Sequence, residues 1–292
     1  MANGLSKFFR LVGLYWIIII QITPSTVFAE DDLSIIQYTP NYVSIDYGFD
    51  NDHGRDRYIF ANLGISLRDR VILGVGDETQ TVSRSEESLA NKTYLLGYNY
   101  IPHYQAQFGA EYEFWGDRDK VTVDSFRVFL AFNAGPFSIA VTPEFRKIKV
   151  NNDSDCDEDI DSGSARIDLS FDIFKNYSFS LGYVSYDYSN NLTDLSSCVA
   201  TSERLTVESR IDSVANDNQL TLGLDYYRKS EAYGGNYTQS KTALKSEKSR
   251  TLSFYASTDR LDDWTLTATT GVTENLDDST TLFISGTVTY YW

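Results

Sequence analysis

Beyond residue 22 the chain has no apolar run long enough to cross a bilayer as a helix, which excludes a helical inner-membrane protein. It also lacks a basic patch. Lys and Arg number 25 against 41 Asp and Glu, so binding to nucleic-acid phosphates is disfavoured on electrostatic grounds. Histidine is scarce, with only His53 and His103 available for general acid–base chemistry. Cysteine is limited to Cys156 and Cys198, and methionine to a single residue. Aromatics are the exception: 21 Tyr, 17 Phe and 4 Trp sit in a chain whose mean hydropathy is only −0.31. A polar average with this many rings is expected when apolar residues occupy alternate positions of strands.

The first 29 residues read as a secretory signal. Lys7 and Arg10 precede an apolar run from Leu11 to Ile22, followed by Pro24, Ser25 and the small-residue site Val27-Phe28-Ala29. Cleavage is expected after Ala29. A membrane anchor would need about 20 apolar residues, more than this run supplies. Removing residues 1–29 takes away two positive charges and leaves 23 basic against 41 acidic residues, net −18. The domain plan is then a signal peptide (1–29), a short N-terminal periplasmic segment (30–41) and a β-barrel (42–292).

Period-2 runs recur down the mature chain. The first strand carries Val43, Ile45, Tyr47 and Phe49, and eight more follow up to Tyr177, Phe179, Leu181 and Tyr183. A weak tenth carries Leu205, Val207 and Ile211. The eleventh has Leu220, Leu222, Leu224 and Tyr226, and the twelfth Leu252, Phe254 and Ala256. The thirteenth has Trp264, Leu266, Ala268 and Val272, and the last runs from Thr281 to Trp292. Tight links are expected at Arg68–Arg70, Ile101–His103, Asn133–Pro136, Phe174–Asn176, Asn216–Asn218 and Leu261–Asp263. Long ones are expected at 50–57, 77–92, 116–124, 147–164, 187–203, 228–249 and 274–280. Six turns alternating with seven loops give about fourteen strands (12–16) in an all-β, antiparallel up-and-down transmembrane barrel, with both termini at the periplasmic side. A soluble sandwich or barrel would present the same polar face to water, so that face alone does not discriminate.

The export signal, the alternation of short turns with long loops and the end of the chain together discriminate. In the last strand Leu282, Ile284, Val288, Tyr290 and Trp292 point one way, while Thr281, Ser285, Thr287 and Thr289 point the other. A terminal aromatic after alternating apolar residues resembles the C-terminal signature of Gram-negative outer-membrane β-barrels, and the whole chain looks porin-like. The resemblance implies location in the outer membrane, contact with its lipid and lipopolysaccharide, and handling by the barrel-assembly machinery. Val288, Tyr290 and Trp292 would form the assembly signal. About a dozen residues separate Ala29 from the first strand, too few for a globular plug, and there is no passenger domain.

The inward register carries the charges. Pore-lining candidates are Asp46, Glu111, Glu113, Arg127, Glu144, Arg146, Arg166, Asp168, Asp172, Arg204, Glu208, Arg210, Asp212 and Asp225. They form either a constriction with an acidic bias that favours cations or a set of cross-strand ion pairs that brace the wall. The loop 228–249, with Tyr233-Gly-Gly-Asn-Tyr237, is the candidate for an inward constriction. Cys156 and Cys198 flank one hairpin in an exported chain and are expected to form a disulfide. The run Asp153, Asp155, Asp157, Asp159 and Asp161 is a weak Ca²⁺ candidate whose spacing departs from an EF-hand. The function read from these features is passive diffusion of small hydrophilic solutes or ions with mild cation preference, without cofactor or catalysis. The rivals are a surface-interaction barrel with an occluded lumen and a hydrolase centred on His53 between Asp52 and Asp56.

Overall fold

The computed structural model describes residues 40–51, 54–81, 88–103, 105–117, 121–150, 158–189, 192, 207–208, 211, 214–244, 248–261, 263–274 and 280–292. The strands are β1 (Tyr42–Asp50), β2 (Arg55–Gly64), β3 (Asp69–Thr81), β4 (Ser88–His103) and β5 (Ala106–Asp117). Next come β6 (Val121–Ala134), β7 (Phe137–Val150), β8 (Glu158–Phe174), β9 (Tyr177–Tyr188) and β10 (Asn216–Arg228). The last are β11 (Glu231–Thr242), β12 (Lys248–Leu261), β13 (Trp264–Glu274) and β14 (Thr280–Tyr291). Each pairs antiparallel with its chain neighbours, and β1 pairs with β14, so the sheet closes into a fourteen-stranded barrel. Closure leaves no strand edge with unpaired backbone groups.

Alternation decides which face is which. Leu96 (57% exposed), Phe145 (64%), Phe254 (56%) and Leu282 (58%) belong to an outward belt of large apolar side chains that covers every strand sector. An apolar surface of this extent is stable against lipid and not against water. Among the described residues no helix is long and apolar enough to cross a membrane. Tyr290 stacks on Trp292 (5.8 Å) and packs on Trp264 (4.7 Å), placing an aromatic cluster at the rim where the chain ends.

One end of the barrel has short links, 65–68, 104–105, 135–136, 175–176, 229–230 and 262–263, and the other has the longer ones. Pro40 and Trp292 both lie at the short-link end. There Asn41 clamps the seam: its carbonyl accepts from the Trp292 amide (3.1 Å) and its side chain from the Gly64 amide (2.7 Å).

Thirteen of the fourteen strands follow the alternation read from the sequence. Two errors cancel in the count. Leu205, Val207 and Ile211 do not make a strand: Val207, Glu208 and Ile211 have helical backbone, and the Ala215 amide donates to the Ile211 carbonyl (2.7 Å). The 228–249 stretch is not a constriction loop but contains β11, hydrogen-bonded along its length to β10 and β12. Accordingly Asn216–Asn218 is the start of β10 and not a turn; the turn is Lys229–Ser230, with Lys229 at φ 50°. The long links are also shorter than expected, since β7 runs to Val150 and β8 begins at Glu158. The exception is 189–215, between β9 and β10.

Candidate functional site

The lumen is the candidate site, and its wall has distinct sectors. On β5 to β8 the inward side chains form an ion-pair ladder. Arg127 Nη1 lies 2.9 Å from Glu113 and its Nε 2.8 Å from Glu144, while Arg146 Nε lies 2.9 Å from the same Glu144 oxygen. Arg146 also donates to Tyr186 Oη (3.1 Å) and to the Val214 carbonyl (2.9 Å), with its guanidinium 4.5 Å from the Tyr186 ring centre. Arg166 pairs with Asp168 two residues along β8 (2.5 Å). Hairpin register causes this. Arg127 stands directly across from Glu144 and diagonally from Glu113, distances that long side chains span.

From β10 round to β14 and β1 the inward set is mostly hydroxyls. Thr251 bonds Thr273 (3.0 Å), Thr267 bonds Ser257 (3.0 Å) and Thr289 bonds Ser44 (2.9 Å), each across a strand boundary. The carboxylates here accept from hydroxyls instead of guanidiniums: Asp225 from Tyr255 (2.6 Å) and Asp46 from Thr287.

Inward aromatics pack against glycines. Phe129 covers Gly109, Phe283 covers Gly271, Tyr255 covers Gly234 and Tyr58 covers Gly76 and Gly74; a methyl group on any of these glycines would overlap the ring. Each ring stands directly across from a glycine it covers, Tyr58 from Gly76. The small inward residues therefore do not simply widen the lumen: they let rings pack close to the wall. A cavity of about 320 Å³ remains, lined by Tyr58, Phe60 and Phe129 on one side and by the ladder on the other.

The mouth at the long-link end is narrowed from within. Leu192, Val207, Ile211 and Ala215, from the segment between β9 and β10, bury against Trp115, Val123, Ile148 and Ile160 of the wall. The spacing of Val207, Ile211 and Ala215 puts all three on one helical face.

The structure gathers Glu111, Glu113, Arg127, Glu144, Arg146, Arg166 and Asp168 on adjacent strands, with Asp46 and Asp225 inward elsewhere and Asp172 exposed near the short-link end. Glu208 was expected on a strand but lies on the helical segment, half-buried. Arg204, Arg210, Asp212, Cys156, Cys198 and His53 lie outside the described residues, as do Asp153, Asp155 and Asp157. Asp159 and Asp161 are not loop residues: they sit on β8 facing outward, and Asp159 pairs with Lys147. His103 ends β4, exposed, at the short-link end. Val288, Tyr290 and Trp292 face outward. Sequence reading missed the glycine-backed rings; inward Gly opposite inward aromatic was the available signal. It also missed the lumen carboxylates Asp50 and Asp56.

No protein-family model matches the sequence, and neither does any curated protein. Among solved structures the barrel resembles the CymD monoaromatic hydrocarbon channel, with a TM-score of 0.54 and 9% identity over 87% of this chain and 88% of that one. The fold is that of outer-membrane barrels. A bacterial polysaccharide outer membrane secretin shares this outer-membrane barrel fold, at a TM-score of 0.53 and 10% identity over 87% and 99% of the two chains. The KdgM porin aligns more loosely, with a TM-score of 0.45 and 11% identity over 86% and 99%. At these identities the likeness concerns the barrel and not its cargo.

Proposed function

We propose that this barrel is a porin-like channel of the outer membrane, exported by its N-terminal signal, that passes small hydrophilic solutes or ions and mildly prefers cations. The observation that carries this is the charge balance of the lumen. The ladder Glu113–Arg127–Glu144–Arg146 neutralises itself, and so does Arg166–Asp168. Beyond these pairs, Asp46, Asp50, Asp56, Glu111 and Asp225 face inward, against Arg70 alone among the described cations, and Arg70 is tied to Asn62 and the Pro40 carbonyl (2.7 Å). A low-dielectric wall with surplus carboxylate raises the local concentration of cations. Purified protein refolded into a planar bilayer should give discrete conductance steps in potassium chloride; a silent bilayer from folded protein sinks the channel reading.

A second reading, a surface-interaction barrel with an occluded lumen, is favoured by the inserted segment between β9 and β10. Ile211→Asp separates the two, because loosening that apolar contact should raise conductance in a constricted channel. In an interaction barrel the substitution leaves the bilayer silent. In the channel reading the protein is not an enzyme, and His53→Ala changes no hydrolytic activity. Its partners are outer-membrane lipid and lipopolysaccharide around the belt, and the barrel-assembly machinery, which would recognise the Trp292 ending. A Cys156–Cys198 disulfide would tie the link after β7 to the inserted segment, pinning the constriction.

A further inference from the structure

Glu111 stands apart from the rest of the ladder. It lies directly across β5–β6 from Arg127, yet among the described residues it makes no ion pair or hydrogen bond. Its stem leans the other way: a Cβ on Gly97 of β4 would sit 2.9 Å from Glu111 Cγ and 3.2 Å from Ile72 Cβ. The Glu111 stem is therefore laid over a glycine gap beside an apolar sector, while its charge acts on the Arg127 guanidinium through space without a direct ion pair. That sector is lined by Tyr42, Tyr58, Ile72, Leu95 and Phe129, all facing the same cavity as Glu111. The Phe129 ring packs over Gly109, the inward position next to Glu111 on β5, and lines the same cavity.

We propose that Glu111 and the ring faces of Tyr58 and Phe129 form a lumen subsite for small organic cations, molecules that join a positive charge to an apolar body. The chemistry selects this class. One carboxylate set among aromatic and aliphatic side chains, with Asn62 and Asn99 as the neighbouring amides, is a poor match for the several oxygen ligands that Ca²⁺ or Mg²⁺ requires. An anion meets the surplus negative charge, and a neutral polyol could bond Asn62, Asn99 and Gln107 but gains nothing from the carboxylate's charge. An ammonium gains from the carboxylate and from aromatic faces together, and its apolar part replaces water against the rings. Arg127 does not oppose it strongly, since Glu113 and Glu144 already hold its charge at 2.9 and 2.8 Å.

The subsite deepens the channel reading and rests on it for transport, but its binding is measurable without it. Benzyltrimethylammonium is the probe, added to protein carrying potassium chloride current, with benzoate as the same ring bearing the opposite charge. Benzyltrimethylammonium should interrupt the current and benzoate should not. Glu111→Gln should weaken the block about tenfold or more, as loss of a charged partner in a sheltered site does. Phe129→Leu, which keeps apolar volume and removes the ring face, should weaken it about threefold. Equal block by benzoate, or wild-type block in E111Q, overturns the subsite. Should E111Q fail to refold, unchanged block in Phe129→Leu overturns it. If the folded wild type carries no current, calorimetric titration of benzyltrimethylammonium into detergent-solubilised protein decides alone: binding lost in E111Q supports the site, and no binding refutes it.

Discussion

The wall formed by β5 to β8 and the wall formed by β11 to β14 share one backbone geometry and differ in what holds the inner face together. The first is braced by buried charge, with Glu144 contacting two guanidiniums. The second is braced by hydroxyl pairs such as Thr251–Thr273 and Thr267–Ser257. Buried ion pairs are unforgiving, because removing one partner strands the other in low dielectric. Hydroxyl pairs contribute little each, and a lost one is easily replaced by water. The same barrel thus has a stiff, charge-ordered side that fixes the field in the lumen and a permissive side that sets its width.

The largest effect should come from the charged wall. Arg127→Met leaves Glu113 and Glu144 without their shared partner and should cost about 3–5 kcal/mol of unfolding free energy. Urea unfolding followed by tryptophan fluorescence measures this; a loss under about 1 kcal/mol would mean water already solvates the ladder. Next comes Gly109→Ala, which drives the Phe129 ring off the wall. It should cost about 1–3 kcal/mol through overpacking and reduce conductance, since the ring then enters the lumen. Unchanged conductance would show the ring has room elsewhere. On the hydroxyl wall, Thr251→Val or Thr267→Val should each cost only about 0.5–1.5 kcal/mol. A larger loss would erase the contrast between the walls. The smallest effect belongs to the turn that opens the hydroxyl wall. Lys229→Asn places a residue that tolerates positive φ where Lys sits at 50°, and should stabilise the barrel by up to about 1 kcal/mol.

These contrasts also explain what the sequence could reveal. Alternation was legible wherever a strand presents apolar residues to lipid, as with Leu220, Leu222 and Leu224 of β10. It was not legible in β11, whose outward set is Tyr233, Gly235, Tyr237, Gln239 and Lys241. That strand exists because its backbone completes the ladders of β10 and β12, and Phe254 stands across from Gly235 to fill the outward gap. Val207 and Ile211 misled because residues four apart share a face in a strand and in a helix alike, so their spacing does not tell the two apart. The charged ladder was half legible. Facing follows from alternation, but partners depend on register across hairpins, so Arg127 could be placed in the lumen without knowing that Glu113 and Glu144 would share it. The leaning of Glu111 over Gly97 depends on side-chain direction, which no pattern encodes.

A surplus of negative charge in the lumen is the property on which the cation preference depends. The most direct measurement is the reversal potential of the refolded protein in a planar bilayer under a tenfold potassium chloride gradient. Surplus carboxylate predicts a potential with the sign of the potassium equilibrium potential, reduced towards zero when Asp46 and Glu111 are replaced by Asn and Gln. A potential with the sign of chloride would contradict it.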